Sequence, residues 1–235
     1  MLNIKNNIFI SLALLLCAAV TAQAATRVSF DRPNLVVVYD EKGTYGFYTG
    51  FSEKRSAFSN NKIVRHECKF MFMRVNGPHE VSLRSLNHPI KDWDSAPYAE
   101  GSISVDGPHW QIRFFDRPEG CGSESSQDRI IVPPAGAGTN TPKQTAQGAN
   151  FTVAGKTRAV GIRWVAVDTT IQRLAKGRFV PTGETLSVGA LVVVLKKQGS
   201  HSEVDFIDVF AGKSIRGWVS SKVLTDPYPK AEQAL

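Results

Sequence analysis

The run Cys68-Lys69-Phe70-Met71-Phe72-Met73-Arg74-Val75 follows a period of two. That is the spacing at which successive side chains of a β-strand fall on opposite faces. Ile103-Ser104-Val105 and Trp110-Gln111-Ile112-Arg113-Phe114 repeat the pattern. Leu35 to Tyr39, Tyr45 to Phe51, Val81 to Leu86 and Arg129 to Val132 add β-rich runs bounded by Gly, Asn, Asp and Pro. Two connections resemble each other, Val75-Asn76-Gly77-Pro78-His79 and Val105-Asp106-Gly107-Pro108-His109. Their Asn-Gly and Asp-Gly pairs supply the positive φ of a tight hairpin turn. Residues 25–132 therefore read as an antiparallel β-sandwich or barrel, and the whole chain as all-β.

Tyr45-Gly46-Phe47-Tyr48-Thr49-Gly50-Phe51 places Tyr45, Phe47 and Phe51 on one strand face and Tyr48 on the other. Such a strand is either covered on both sides or displays an aromatic ring. Asp92-Trp93-Asp94-Ser95-Ala96-Pro97-Tyr98 reads as a loop, and large amphipathic rings in loops tend to make contacts, so Trp93 and Tyr98 are recognition candidates. His79 and His109, one after each turn, are the candidates for a metal at one end of the sheet. Neither has an Asp, Glu or His at ligand spacing beside it. Loop acids such as Asp92, Asp94, Asp116 and Glu119 offer an acid/base pair only in the generic sense. No nucleophile elbow, phosphate loop or zinc-protease helix occurs, so the reading is non-enzymatic with no cofactor.

Of 235 residues, 42% are hydrophobic and 21% charged, a composition that buries a core and excludes a disordered tail or a coiled coil. Residues 133–148 hold Pro, Gly, Ala, Thr, Asn, Gln and one Lys with no large apolar side chain. Such a stretch cannot offset the entropy of ordering and reads as a connector or a long exposed loop. It suggests a domain over 25–132, a linker over 133–150 and a second domain over 151–235. Charge divides at the same place. Residues 25–132 carry 14 basic and 14 acidic side chains, and 133–235 carry 13 and 7.

At the start, Lys5 precedes the apolar run Ile8 to Leu16 and then Ala22-Gln23-Ala24, the pattern of a cleaved secretory signal over 1–24. No later stretch reaches the roughly 20 apolar residues that a spanning helix needs. Cys17 would leave with the signal, and Cys68 and Cys121 would remain as an even pair. In an oxidising compartment they read as one disulfide, which contributes about 3–4 kcal/mol by restricting the unfolded chain.

Leu186-Ser187-Val188-Gly189-Ala190-Leu191-Val192-Val193-Val194-Leu195, then Phe206-Ile207-Asp208-Val209, then Gly217-Trp218-Val219-Ser220-Ser221-Lys222-Val223-Leu224 resembles a bacterial SH3-like domain over about 160–225. The resemblance implies a small non-catalytic β-barrel ending in a Gly-Trp-Val strand and a short helical turn. It also implies attachment to cell-wall or envelope polymer, or docking of a partner protein. Arg216, Trp218 and Lys222 are its candidate binding residues, in a half of the chain whose positive field attracts anionic groups. The front of the family pattern is replaced here by Val165-Ala166-Val167-Asp168-Thr169-Thr170.

Taken together, the sequence suggests an exported, non-enzymatic protein of the periplasm or cell envelope with no nucleic-acid partner and no transmembrane segment after signal cleavage. A secreted inhibitor or immunity protein against a periplasmic enzyme, and a cell-wall hydrolase with an SH3-like targeting domain, are the alternatives.

Overall fold

A computed structural model describes residues 25–41, 43–55, 63–74, 80–85, 98–114, 149–208 and 211–228. The expected signal 1–24 and the segment 133–148 lie outside them. Apart from one short 3-10 turn, every described element is a strand.

Strands β1 (Ala25–Phe30), β2 (Leu35–Asp40), β3 (Gly43–Arg55), β4 (Ile63–Arg74), β5 (Glu80–Ser85), β6 (Tyr98–Asp106), β7 (His109–Phe114) and β8 (Ala149–Ala159) form a closed barrel. Each strand runs antiparallel to the next, and β8 returns to pair with β1 from Ala159 opposite Ala25 to Val153 opposite Phe30. Cys68 to Arg74 of the alternating run lie in β4, with Met73 opposite Tyr45 and Cys68 opposite Gly50, and Val75 lies outside the described residues. The Asp106-Gly107-Pro108-His109 turn closes the β6–β7 hairpin, with Asp106 opposite His109 and Gly107 at φ 55°.

Alternation along the strands fills the barrel. Cys68, Phe70 and Phe72 of β4 point inward, where they meet Val28, Phe30, Leu35, Val37, Tyr48, Ile103, Trp110, Ile112 and Phe151. Phe70 stacks on Tyr48 with ring centroids 5.0 Å apart, and Phe30 meets Trp110 edge-on at 5.5 Å. Gly46 also faces this interior: a Cβ there would lie 2.2 Å from the Val36 carbonyl oxygen and 2.5 Å from the Phe72 ring, so only glycine fits.

The outward residues of the same strands are equally buried. Val36, Val38, Tyr45, Phe47, Met71 and Met73 form one cluster with Ile162, Trp164, Leu191, Val193, Ile207 and Tyr228 from the later chain. The strand containing Tyr45, Phe47 and Tyr48 is thus covered on both sides, one of the two readings its sequence allowed.

The covering layer is a second antiparallel sheet. It comprises β9 (Gly161–Val165), β10 (Thr169–Ala175), β11 (Arg178–Leu186), β12 (Leu191–Gln198), β13 (His201–Asp208), β14 (Lys213–Ser220) and β15 (Leu224–Thr225), with the 3-10 turn Ser221–Val223 before β15. Its strand order is β11-β10-β14-β13-β12-β9-β15. The β10–β11 hairpin turns on Lys176 and Gly177, both at positive φ (50° and 77°), as a type I′ turn requires. One face of this sheet packs its own core of Val165, Ile171, Leu186, Ala190, Val192, Val194, Val204 and Val219. At Gly217 a Cβ would lie 2.3 Å from the Ile171 side chain, which accounts for the Gly of the Gly-Trp-Val run.

Two features of the domain division inferred from composition change. Residues 149–159 are the closing strand of the first barrel, so the chain passes to the second sheet after Ala159 and not between 150 and 151. The segment poor in apolar residues therefore connects β7 to β8 within one barrel. Low apolar content reveals a connection but not which sheet its two ends join. The two units also share the cluster that contains Tyr45 and Trp164, and Arg27 of β1 forms an ion pair with Asp205 of β13.

Candidate functional site

The second sheet has two faces, and alternation along β13 sorts its residues between them. Val204 enters the sheet's own core, whereas Glu203 and Asp205 belong to the opposite face. Register extends that face across four strands, because Lys196 of β12 stands opposite Glu203, Glu203 opposite Trp218 of β14, and Trp218 opposite Gln172 of β10. At one end the face is covered by the first barrel, through Leu191, Val193 and Ile207. At the other it carries a cluster of rings and charges.

Trp218 is 5% exposed. The Phe179 ring leans on it with centroids 5.4 Å apart, and His201 stacks on Phe179 at 3.8 Å. The Lys196 ammonium sits 5.2 Å from the Trp218 ring centroid, within range of a cation–π interaction. Arg216 Nε donates to Glu203 Oε1 at 2.8 Å, and Lys196 Nζ lies 3.2 Å from Glu203 Oε2. The Glu203 side chain is 12% exposed, while those of Arg216 and Lys196 are 61% and 60% exposed. One recessed carboxylate thus anchors two cations that reach solvent.

The charges respond to one another. Burial pushes the Glu203 carboxyl up, but hydrogen bonds and charge from Arg216 and Lys196 outweigh it and leave the group below the usual carboxylate range. The hydrogen bond to Glu203, partly opposed by burial, raises Arg216 further. Both partners stay ionised through the neutral range, so the cluster carries a standing net positive charge.

The structure brings together two of the three residues singled out in the second half, Arg216 and Trp218. Lys222 stands on the 3-10 turn after β14, where it is exposed and its backbone N–H donates to Ser220 Oγ. Glu203, Phe179 and His201 escape sequence reading because only the register of neighbouring strands places them beside Trp218. The polar residue at every second position of His201-Ser202-Glu203-Val204-Asp205 was the available signal.

In the first barrel, Tyr98 opens β6 opposite Arg84, and Trp93 lies outside the described residues. His109 is exposed at the β6–β7 turn, with its Nδ1 3.5 Å from Thr152 Oγ1, and His79 lies outside the described residues. Among the described residues no three His, Cys, Asp or Glu side chains gather as a metal site would require. Cys68 is 6% exposed in the barrel core, and Cys121 lies outside the described residues. A cavity of about 260 Å³ opens where β10 meets β11, lined by Asp168, Thr169, Thr170, Thr185, Leu186 and Ser187. No helix among the described residues is long and apolar enough to cross a membrane.

No protein-family model, no curated protein and no solved structure matches this chain.

Proposed function

We propose that this chain is an exported, non-enzymatic envelope protein whose second sheet, an SH3-like barrel over 161–225, holds it on cell-wall or envelope polymer. In this reading the first barrel, stapled by a Cys68–Cys121 disulfide, presents loops that recognise a ligand. The observation that carries it is the exposed pair Arg216 and Lys196 beside Trp218, on the part of the sheet face that the first barrel leaves uncovered. Support for the SH3-like assignment comes from connectivity. Consecutive strands β12, β13 and β14 form a meander, a 3-10 turn follows the Gly217-Trp218-Val219 strand, and β15 returns to pair with β9.

The test uses residues 25–235 as one chain, since the two units share a core. Purified envelope fragments should sediment the protein at low ionic strength. Retention should fall as salt shortens the screening length from about 30 Å at 0.01 M to about 10 Å at 0.1 M. Replacing Arg216 and Lys222 by Ser should weaken retention while circular dichroism stays unchanged, because Lys196 remains beside the recessed Glu203. Absence of retention at low salt, or retention unchanged in the double variant, would overturn the reading. Capture of a periplasmic enzyme instead of polymer would favour the inhibitor alternative.

A further inference from the structure

We infer that Arg216 and Lys196 form a clamp for the carboxylate or phosphate of an acidic polysaccharide, with the half-buried Phe179 ring as the contact for a sugar ring. The inference rests on the attachment proposed above and names the chemistry of the ligand.

Arg216 uses Nε for Glu203 and makes no other hydrogen bond among the described residues, so its two terminal nitrogens remain on a side chain that is 61% exposed. A guanidinium engaged along one edge presents the other as a fork that matches a planar oxyanion. Lys196 is held by the same carboxylate and over the Trp218 ring, which orders its long side chain before any ligand arrives. Glu203 cancels one of the two positive charges and leaves one for the ligand.

Three observations favour a saccharide as bearer of the anion. Beside the cations Phe179 is only half-buried where it stacks on His201, and its open part can contact the C–H face of a sugar. Two residues before Gln172 on the same strand, Thr170 stands opposite Thr185, and both line the cavity of about 260 Å³ with Ser187 and Asp168. Hydroxyls and a carboxylate there offer donors and acceptors that suit the many hydroxyls of a sugar. A flat anionic membrane would meet the two cations but would not fill the cavity beside Thr170 and Thr185.

The experiment measures binding of the full chain at low salt to a carboxylated polysaccharide, polygalacturonate, and to a phosphorylated mannan. Neutral dextran, poly-glutamate and phosphatidylglycerol vesicles serve as controls, and envelope fragments are assayed in parallel. At least one acidic polysaccharide should bind, well ahead of all three controls. Arg216→Gln and Lys196→Gln should each weaken it roughly tenfold, the factor a charge-assisted hydrogen bond carries. Arg216→Lys, which keeps charge but loses the fork, should recover only part. Phe179→Ala should weaken binding at unchanged circular dichroism. Equal or better binding of poly-glutamate or vesicles, binding of neither polysaccharide, or indifference to Arg216→Gln would overturn the inference. Envelope retention alongside such a failure would leave the attachment reading standing, and polysaccharide binding without envelope retention would do the reverse.

Discussion

The hydroxyl of Tyr228 donates a 2.6 Å hydrogen bond to the carbonyl oxygen of Gly46, joining residues 182 positions apart. The Tyr228 ring packs on Tyr45 with centroids 4.5 Å apart, and Tyr45 donates to Asp40. Just before Tyr228, Asp226 pairs with Arg163 at 3.5 Å. The end of the described chain is therefore fastened to both the first barrel and the second sheet.

These two tyrosines predict instability at high pH. Burial pushes the Tyr228 and Tyr45 hydroxyls above the ordinary tyrosine range, and Asp40 and Asp226 add to the effect on Tyr45. Below about pH 10 both rings are protonated whether the chain is folded or not, so their contribution is intact. Above it the unfolded chain releases protons that the folded chain keeps, and stability falls by up to about 1.4 kcal/mol per pH unit for each ring. Urea midpoints measured at pH 8, 10 and 11 should decline, and Tyr228→Phe should make the decline shallower. An identical decline in Tyr228→Phe would remove Tyr228 from the explanation.

Shared burial predicts one thermal transition. Tyr45, Phe47, Met71, Trp164, Leu191 and Ile207 sit in a single cluster fed by both units, so neither can unfold without exposing apolar surface of the other. Calorimetry on residues 25–235 should show one peak. Protease cleavage within 133–148 should leave the two fragments associated on gel filtration, because β7 and β8 flank the cut and pair in one barrel. Two separated peaks would mean that the junction contributes little.

For the cysteines the expected outcome is a bond between Cys68 and Cys121. Cys68 occupies the barrel core beside Tyr48 and Phe70. Mass spectrometry of unreduced protein produced in an oxidising compartment should find the linked peptide pair. Reduction should lower the melting temperature by several degrees, at about 2–4 °C per kcal/mol for a chain of this size. Two alkylatable thiols in native protein would refute the pairing.

Local features of the fold were legible and distant partnerships were not. The alternation of Cys68 to Arg74 and the turn at Asp106-Gly107 depend on neighbours a few residues away, and they appear as strand and hairpin. The role of 149–159 depends on β1, more than a hundred positions earlier, and no periodicity within 149–159 encodes that partner. The site divides in the same way. The Gly217-Trp218 strand was legible through the resemblance of its run to the SH3-like pattern, and the close approach of Ile171 explains its glycine. Glu203 could not, because its meeting with Lys196 and Arg216 requires three strands to be in register.

Closure of the first barrel by β1 and β8 sets an order of events during synthesis. The hairpins from β2 to β7 can form as they emerge, yet β1 has only β2 beside it until Gly155 and its neighbours exist to accept it. Throughout that interval the nascent sheet has two open edges, each a template for pairing with another chain. Contacts so far apart in sequence also fold slowly. A chaperone that engages the first strand would act on the one element of the barrel that must wait longest for its second neighbour.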